Sequence, residues 1–338
     1  MTVIATTPTD QTLKIRAATN KWVSDQFPEQ RRYLSHSWPE LGIDGHWRVG
    51  LMVRHGDICV PLATLTIEKE QEISTDSSPR NIAEKINSCL PSVSPQLTAT
   101  EHSGHLHQFN LGDGITGTSS LPDKSIDLLL TDPPYGISNP YTCEKQVPRR
   151  LRKNGRDFIM PKGHFGDWDY SFPSPSQWLP LLLPKVRGWT VIFCAQAQIG
   201  EYSEILRDHK FNAVGAMVWW KTNPVPFNHT TKPINAWEAI VAGKRPGTKF
   251  NGRVVHNVFV HKSPSPQERI HSTQKPLPLL SEFVKLFSKK GDFVVDPFAG
   301  SATTLIAAVE LKRRVLAYEN DVTAFSKAVN RIEKECLL

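Results

Sequence analysis

The hexapeptide TDPPYG, Thr131 to Gly136, directly follows the apolar run IDLLL. Asp132 brings a carboxylate, Tyr135 a flat ring, and two prolines form a stiff corner between them. Proline fixes φ and has no N–H to donate, and the residue before it is held extended. The carbonyl of Pro133 therefore points where the corner dictates, near Asp132. Two acceptors beside an aromatic face suit an amino group on a planar base: both its protons are accepted while the ring stacks on Tyr135. Such an amine is a poor nucleophile because its lone pair is delocalised. Accepting both protons favours a tetrahedral nitrogen and stabilises the positive charge that grows during attack. A turn after a strand explains the prolines alone, but not the full hexapeptide.

A second stretch, GDFVVDPFAGSATTLIAAVELKRRVLAYEND at 291–321, reads as strand, tight turn, helix, strand and acid. Small residues where DPFAGS enters a helix let a ligand approach the backbone closely. Glu319 follows about twenty residues later, where an acid can accept from both hydroxyls of a ribose. Singly, Gly300 is an ordinary turn residue and Glu319 a solvated strand end; together, at this spacing, they point to a nucleoside site. The stretch 291–321 has no GxGxxG and no GxxxxGK[ST], so a cofactor without phosphates fits this turn better than NAD or ATP.

Regular elements must position these residues. HLHQFNL, SIDLLLT, WTVIFCA, AVGAMVWW, AWEAIVAG, DFVVDPF and RRVLAYE are short apolar runs that read as strands. Leu280, Phe283, Val284 and Phe287 have helical spacing behind Pro276 and Pro278, and Leu305, Ala308 and Val309 repeat it. Strands alternating with helices predict an α/β fold with helices on both faces of a sheet. In such sheets ligands bind outside the carboxyl ends of the strands, where both motifs lie.

Residues 1–69 read as a small separate unit, with a helix over Thr12 to Gln26 and a hairpin of WRVGLMV and ICVPLATLTI around RHGD. Residues 70–103 read as a connector with one short helix, Asn81 to Cys89. The 338 residues carry a formal charge of +7, which suits a polyanionic partner without requiring one. Five scattered cysteines without a CxxC argue against a disulfide framework or a zinc site, and no metal-ligand spacing appears among the histidines. No signal peptide and no membrane-length apolar run is evident, so a cytoplasmic protein is expected. Trp219, Trp220 and Lys221 end a strand and are candidates for either pocket wall or core.

TDPPYG and DPFAGSATT together resemble the amino-group (N6-adenine/N4-cytosine) DNA methyltransferases that use S-adenosylmethionine. HSTQKPL at 271–277 is similar to their usual H-P-T-Q-K-P-L, with Ser272 for proline. The catalytic motif precedes the cofactor motif, as in the permuted β group, and the resemblance covers about 104–335. It implies a Rossmann-like methyltransferase fold at 104–338, with a seven-stranded mixed sheet and a small N-terminal extension. It implies catalytic roles for Asp132, Pro133, Pro134 and Tyr135. It implies that Asp113, Thr273, Lys275, Asp296, Phe298, Gly300, Ser301, Thr303 and Glu319 hold the cofactor, with Asp113 at the adenine and Glu319 at the ribose. The family usually reads G-S-G-T-T where this chain has Ala302, and the added methyl is expected to crowd the cofactor slightly.

The implied reaction is methylation of a base amine rotated out of duplex DNA, adenine N6 first and cytosine N4 as the alternative. A non-catalytic nucleic-acid-binding protein on the same fold is the different-class reading. Cys143 and Cys194 lack the Pro-Cys context of carbon-5 methylation and read as structural. Residues 144–176 and 244–272 are expected to contact DNA. Lys145, Arg149, Arg150, Arg152, Lys153 and Arg156 follow the catalytic loop as candidate phosphate ligands. A homodimer, a cognate restriction endonuclease and nucleoid association complete the expected partners.

Overall fold

The computed structural model describes residues 10–28, 30, 34–55, 58–68, 72–89, 101–135, 150–153, 156–159, 172–225, 233–252, 254–271 and 273–336. The chain opens with α1 (Asp10–Gln26), β1 (Leu34–His36), β2 (Glu40–Leu41), β3 (Trp47–His55), β4 (Ile58–Glu68), β5 (Glu72–Thr75) and α2 (Pro79–Cys89). β3 and β4 form the expected antiparallel hairpin, with Val53 opposite Val60. β5 pairs with β4, and Ile82 and Ile86 of α2 share a core with Ile15, Leu51 and Leu65. The expected connector therefore supplies a strand and a helix to the N-terminal unit, which extends to Cys89. The connector reading gave weight to its Ser and Glu residues, whereas two isoleucines four apart were enough to dock the helix.

The second layer system follows as β6 (Glu101–Ser103), β7 (His107–Leu111), α3 (Gly114–Ser119) and β8 (Ile126–Thr131). A two-stranded hairpin comes next, β9 (Arg150–Lys153) and β10 (Arg156–Ile159), with Lys153 opposite Arg156. The order continues α4 (Pro175–Leu182), β11 (Val186–Cys194), α5 (Ile199–Asp208), β12 (Asn212–Lys221), β13 (Trp237–Lys244) and β14 (Val258–His261). It closes with α6 (Leu277–Phe287), β15 (Phe293–Asp296), α7 (Thr303–Glu310), β16 (Arg314–Glu319) and α8 (Val322–Cys336).

All seven expected strands are present, but among the described residues the sheet has nine, in the order β14-β12-β13-β11-β8-β15-β16-β7-β6. The additions are the two short edges. β6 pairs antiparallel with β7, and β14 pairs parallel with β12 inside the segment expected as a DNA-contacting insertion. β13 runs antiparallel to both its neighbours, and β8, β15, β16 and β7 are parallel.

Period-two alternation divides the core between the faces. Val191 and Phe193 pack with α6, α7 and α8, while Ile192 and Cys194 pack with α4 and α5. β8 is apolar and buried almost throughout, as a central parallel strand must be. Each fully buried Leu, Val or Phe contributes about 1.5–3 kcal/mol, so two facing helix layers fix the register of the strands that carry the site. Trp38 of the N-terminal unit packs outside that unit's own core, in the cluster of Ile115 and Trp178. Among the described residues no helix is long and apolar enough to cross a membrane.

Candidate active site

Four neighbouring parallel strands bring four carboxylates to one edge of the sheet. β8 leads to Asp132, β15 ends at Asp296, β16 ends at Glu319 and β7 leads to Asp113. Three inter-strand steps of about 4.8 Å separate Asp113 from Asp132 by about 14 Å along this edge. One cavity of about 1280 Å³ lies along it, lined by Asp132, Tyr135, Lys275, Gly300, Glu319 and Asp113 among others. The two motifs, with Asp132 and Asp296 164 positions apart in sequence, therefore share one space. Thr131 Oγ1 donates to Asp296 Oδ1 at 2.7 Å and ties the two strand tips together.

The Asp132 carboxylate has both oxygens engaged. The Tyr135 hydroxyl donates to Oδ1 at 2.8 Å, and the Lys275 ammonium pairs with Oδ2. Each oxygen keeps a second lone pair for an incoming donor. Gln198 Nε2 donates to the Tyr135 carbonyl at 3.0 Å and holds the corner in place. Lys275 also lies 3.2 Å from Glu238, which pairs with Lys221 at 2.6 Å. The result is a row of alternating charges, Asp132, Lys275, Glu238 and Lys221. Burial and the nearby Glu238 charge oppose Lys275 and leave Asp132 above the usual carboxylate range. Burial also opposes charge on Glu238, but its two ammonium partners outweigh it and hold this carboxyl low. Lys275 stays protonated: the two carboxylates overcome its burial.

Glu238 is the functional residue that reading the sequence missed. It sits inside the apolar run AWEAIVAG, and a carboxylate in such a strand is itself the signal. Lys221, expected only as a wall or core residue, proves to be its partner. Trp219 is buried and lines the cavity, donating from Nε1 to the His261 carbonyl at 3.1 Å, whereas Trp220 is exposed. Burial, with Asp132 nearby, pushes the Cys194 thiol up to about 12, which leaves it protonated and inert.

The loop after β15 is shaped by the backbone. Gly300 has φ of +52°, and the amide donates to Glu319 Oε2 at 2.8 Å. Asp321 N–H donates to Oε1 at 2.7 Å, so Glu319 is braced from both sides. Ala302 caps α7 with φ of +58°. It is fully buried in the core beside Leu305, so its methyl does not crowd the cavity. The departure from glycine instead carries backbone strain, which glycine relieves. Gly114 marks a close approach: a Cβ there would lie 2.0 Å from the Pro297 carbonyl oxygen.

The remaining expected residues have distinct settings. Asp296 is buried and pushed up to about 6 by that burial, against hydrogen bonds from Thr131 and the Phe298 amide. Phe298 stands edge-on to Trp178 at 5.3 Å. Ser301 and Thr303 face each other at 3.0 Å, and Arg331 of α8, which the sequence did not flag, donates to Thr303 Oγ1 at 2.9 Å. Thr273 Oγ1 lies 3.1 Å from His271 Nδ1. Asp113 caps α3 through the amides of Ile115 and Thr116, and pairs with Arg16 of α1. Burial works against its charge, but Arg16 holds the carboxyl at about 2. Pro133 and Pro134 line the same cavity. Of the candidate DNA contacts, Arg150, Arg152 and Lys153 fall on β9 and Arg156 on β10; Lys145 and Arg149 lie outside the described residues, as does Cys143, expected to be structural.

A row of carboxylates repels phosphates and attracts cations. A nucleoside carrying a sulfonium and an ammonium fits these residues. Pockets for one small ligand usually run to about 300–1,000 Å³, so this cavity has space for a base beside such a cofactor.

A family model described as DNA methylase matches residues 242–330. The type II methyltransferase M2.MboI of Moraxella bovis is 26% identical over 255 residues, covering 68% of this chain and 88% of that protein. The type II methyltransferase M.HinfI of Haemophilus influenzae is 28% identical over 251 residues, covering 66% and 67%. The solved PvuII DNA methyltransferase, cytosine-N4-specific, superposes with a TM-score of 0.50 at 15% identity, covering 68% of this chain and 94% of that one, a likeness of fold. With both motifs on one cavity, the chain carries a match to the DNA methylase family at 242–330 and is similar to type II methyltransferases along about two-thirds of its length.

Proposed function

We propose that the chain methylates adenine N6 at a specific site in duplex DNA. The shared cavity of Asp132 and Glu319 carries this reading, because it puts an amine acceptor within reach of a nucleoside acid. The aspartate of DPPY favours adenine; cytosine N4 presents the same two donors to the same acceptors and is the alternative. In this reading Asp113 accepts from the cofactor's adenine, Glu319 from its ribose, and Asp296, Phe298, Gly300, Ser301 and Thr303 form the loop beneath it. Thr273 and Lys275 serve the methionine end.

Bound S-adenosylmethionine supplies an electrophilic methyl group on sulfur. The protein's part is positioning and charge. Asp132 and the Pro133 carbonyl accept the two amine protons, Tyr135 stacks on the base, and Lys275 shifts its charge toward Glu238 as the amine arrives. Asp132, held above the usual carboxylate range, is suited to take the proton that the methylated nitrogen sheds. The basic run at 145–156 contacts phosphates through Lys145, Arg149, Arg150, Arg152, Lys153 and Arg156, which adds salt dependence to binding.

Incubation with unmethylated duplex DNA and isotope-labelled cofactor, followed by nucleoside mass spectrometry, tests the base. N6-methyladenine is expected; N4-methylcytosine would move the assignment to the alternative, and 5-methylcytosine would overturn the mechanism. A homodimer, a paired restriction endonuclease and nucleoid association belong to the same proposal. Exposed Trp220, Val258 and Val260 on neighbouring strands β12 and β14 offer an apolar face for self-association, which sedimentation velocity tests. Host extract that cuts only unmethylated DNA would reveal the nuclease.

A further inference from the structure

The N-terminal unit reaches the cofactor end of the cavity. Arg16 of α1 is buried, with 7% of its side chain exposed, and it pairs with Asp113. Its guanidinium lies 4.5 Å from the centre of the Trp38 ring, on the loop after β1. Trp38 is in turn fixed in the core cluster of Ile115, the second residue of α3. Arg16 and Trp38 both line the cavity that holds Asp132 and Glu319. These contacts come from outside the stretch that the sequence resemblance covers, since Arg16 and Trp38 precede residue 104.

The arrangement has a clear physical cost. Removing an arginine and a carboxylate from water is unfavourable unless each is well paired. The Asp113 carboxylate has Arg16, the Thr116 hydroxyl and two amides around it. Arg16 Nε, by contrast, is buried with no hydrogen-bond partner. A buried cation stacked on an aromatic ring and left partly unsatisfied is poor design for a purely structural strut. It is reasonable for a group that fixes the orientation of a carboxylate and offers a flat wall to a ligand.

We infer that Arg16 and Trp38 complete the nucleoside end of the cofactor pocket, with Arg16 orienting Asp113 toward the adenine amine. The inference rests on the proposed placement of adenine at Asp113. It gives the N-terminal unit a role: it closes a pocket that the sheet edge alone leaves open at β7. Arg16 is a positioning residue that acts through Asp113, and Trp38 is its platform.

Calorimetric titration of the full-length protein tests this, using S-adenosylhomocysteine and its inosine counterpart, which carries a carbonyl in place of the adenine amine. The wild type must bind the adenine compound and reject the inosine one by at least tenfold; no binding, or no preference, would sink the placement of adenine itself. With that established, Arg16→Ala and Trp38→Ala are expected to raise the Kd for S-adenosylhomocysteine at least tenfold. Arg16→Ala should also reduce the adenine-to-inosine preference to threefold or less. Arg16→Lys should recover part of the affinity, and Lys21→Ala, on the exposed side of α1, none of the loss. Thermal denaturation identifies any variant that has lost its fold, in which case Arg16→Lys carries the test through the preference ratio. Unchanged affinity and preference in a folded Arg16 variant, or tighter binding, would overturn the inference.

Discussion

At the scale of single residues, the site is governed by which charge Lys275 faces. Its ammonium pairs with Asp132 and lies 3.2 Å from Glu238, so it neutralises the Asp132 carboxylate while a second acceptor waits. Removing one member of such a buried network leaves the others uncompensated. Asp132 must be ionised to accept from the amine, and its pKa is raised above 3.8. The rate should therefore rise with pH along an acid limb that lies above the usual carboxylate range. Glu238→Gln removes a negative charge that raises that pKa and leaves Lys275 to Asp132 alone. We expect the acid limb to move to lower pH, with a plateau rate about 10–100-fold lower because Lys275 no longer has a place to go. A limb that stays put or moves up would contradict the network. The carboxylate of TDPPYG was legible in the sequence because the prolines announced it. Glu238 was not, because one acid within an apolar strand gives no spacing to read.

At the scale of elements, the strand tips and helix entrances do the positioning. The strands that carry Asp132, Asp296 and Glu319 were legible from apolar runs ending in Asp, Pro or Glu. The N-terminal limit of the sheet and its ninth strand were not, since β6 and β14 have only 3 and 4 residues. The helix α2 was legible as a helix but not as part of the N-terminal core, because packing partners brought together by the fold leave no local mark. The entrance to α7 is a case where sequence and structure explain each other. The family's usual glycine suits a left-handed residue, and Ala302 occupies that conformation with its methyl turned into the core. Ala302→Gly should relieve the left-handed strain by about 1 kcal/mol, offset by a loss of similar size from the buried methyl and the freer unfolded chain. The expected net change in chemical denaturation is therefore within about 1 kcal/mol, with cofactor affinity unchanged within about threefold. A tenfold gain in affinity would show that the methyl crowds the cofactor after all.

At the scale of the whole molecule, two units meet over one cavity. The larger supplies the chemistry from the carboxyl edge of its sheet, and the smaller places Arg16 and Trp38 against the β7 end of that edge. The resemblance identified the first unit from its motifs and was silent on the second, because the N-terminal residues have no motif of their own. In the proposed function, binding and transfer are separate tasks of one space: Glu319 and Gly300 at the nucleoside, Asp132 and Tyr135 at the amine. The most direct test pairs two measurements on Asp132→Ala, methyl transfer to duplex DNA and calorimetric affinity for S-adenosylhomocysteine. Transfer should be abolished while the Kd stays within about tenfold of the wild type. Transfer that persists near the wild-type rate, or affinity lost in step with it, would contradict the division of the cavity on which the account depends.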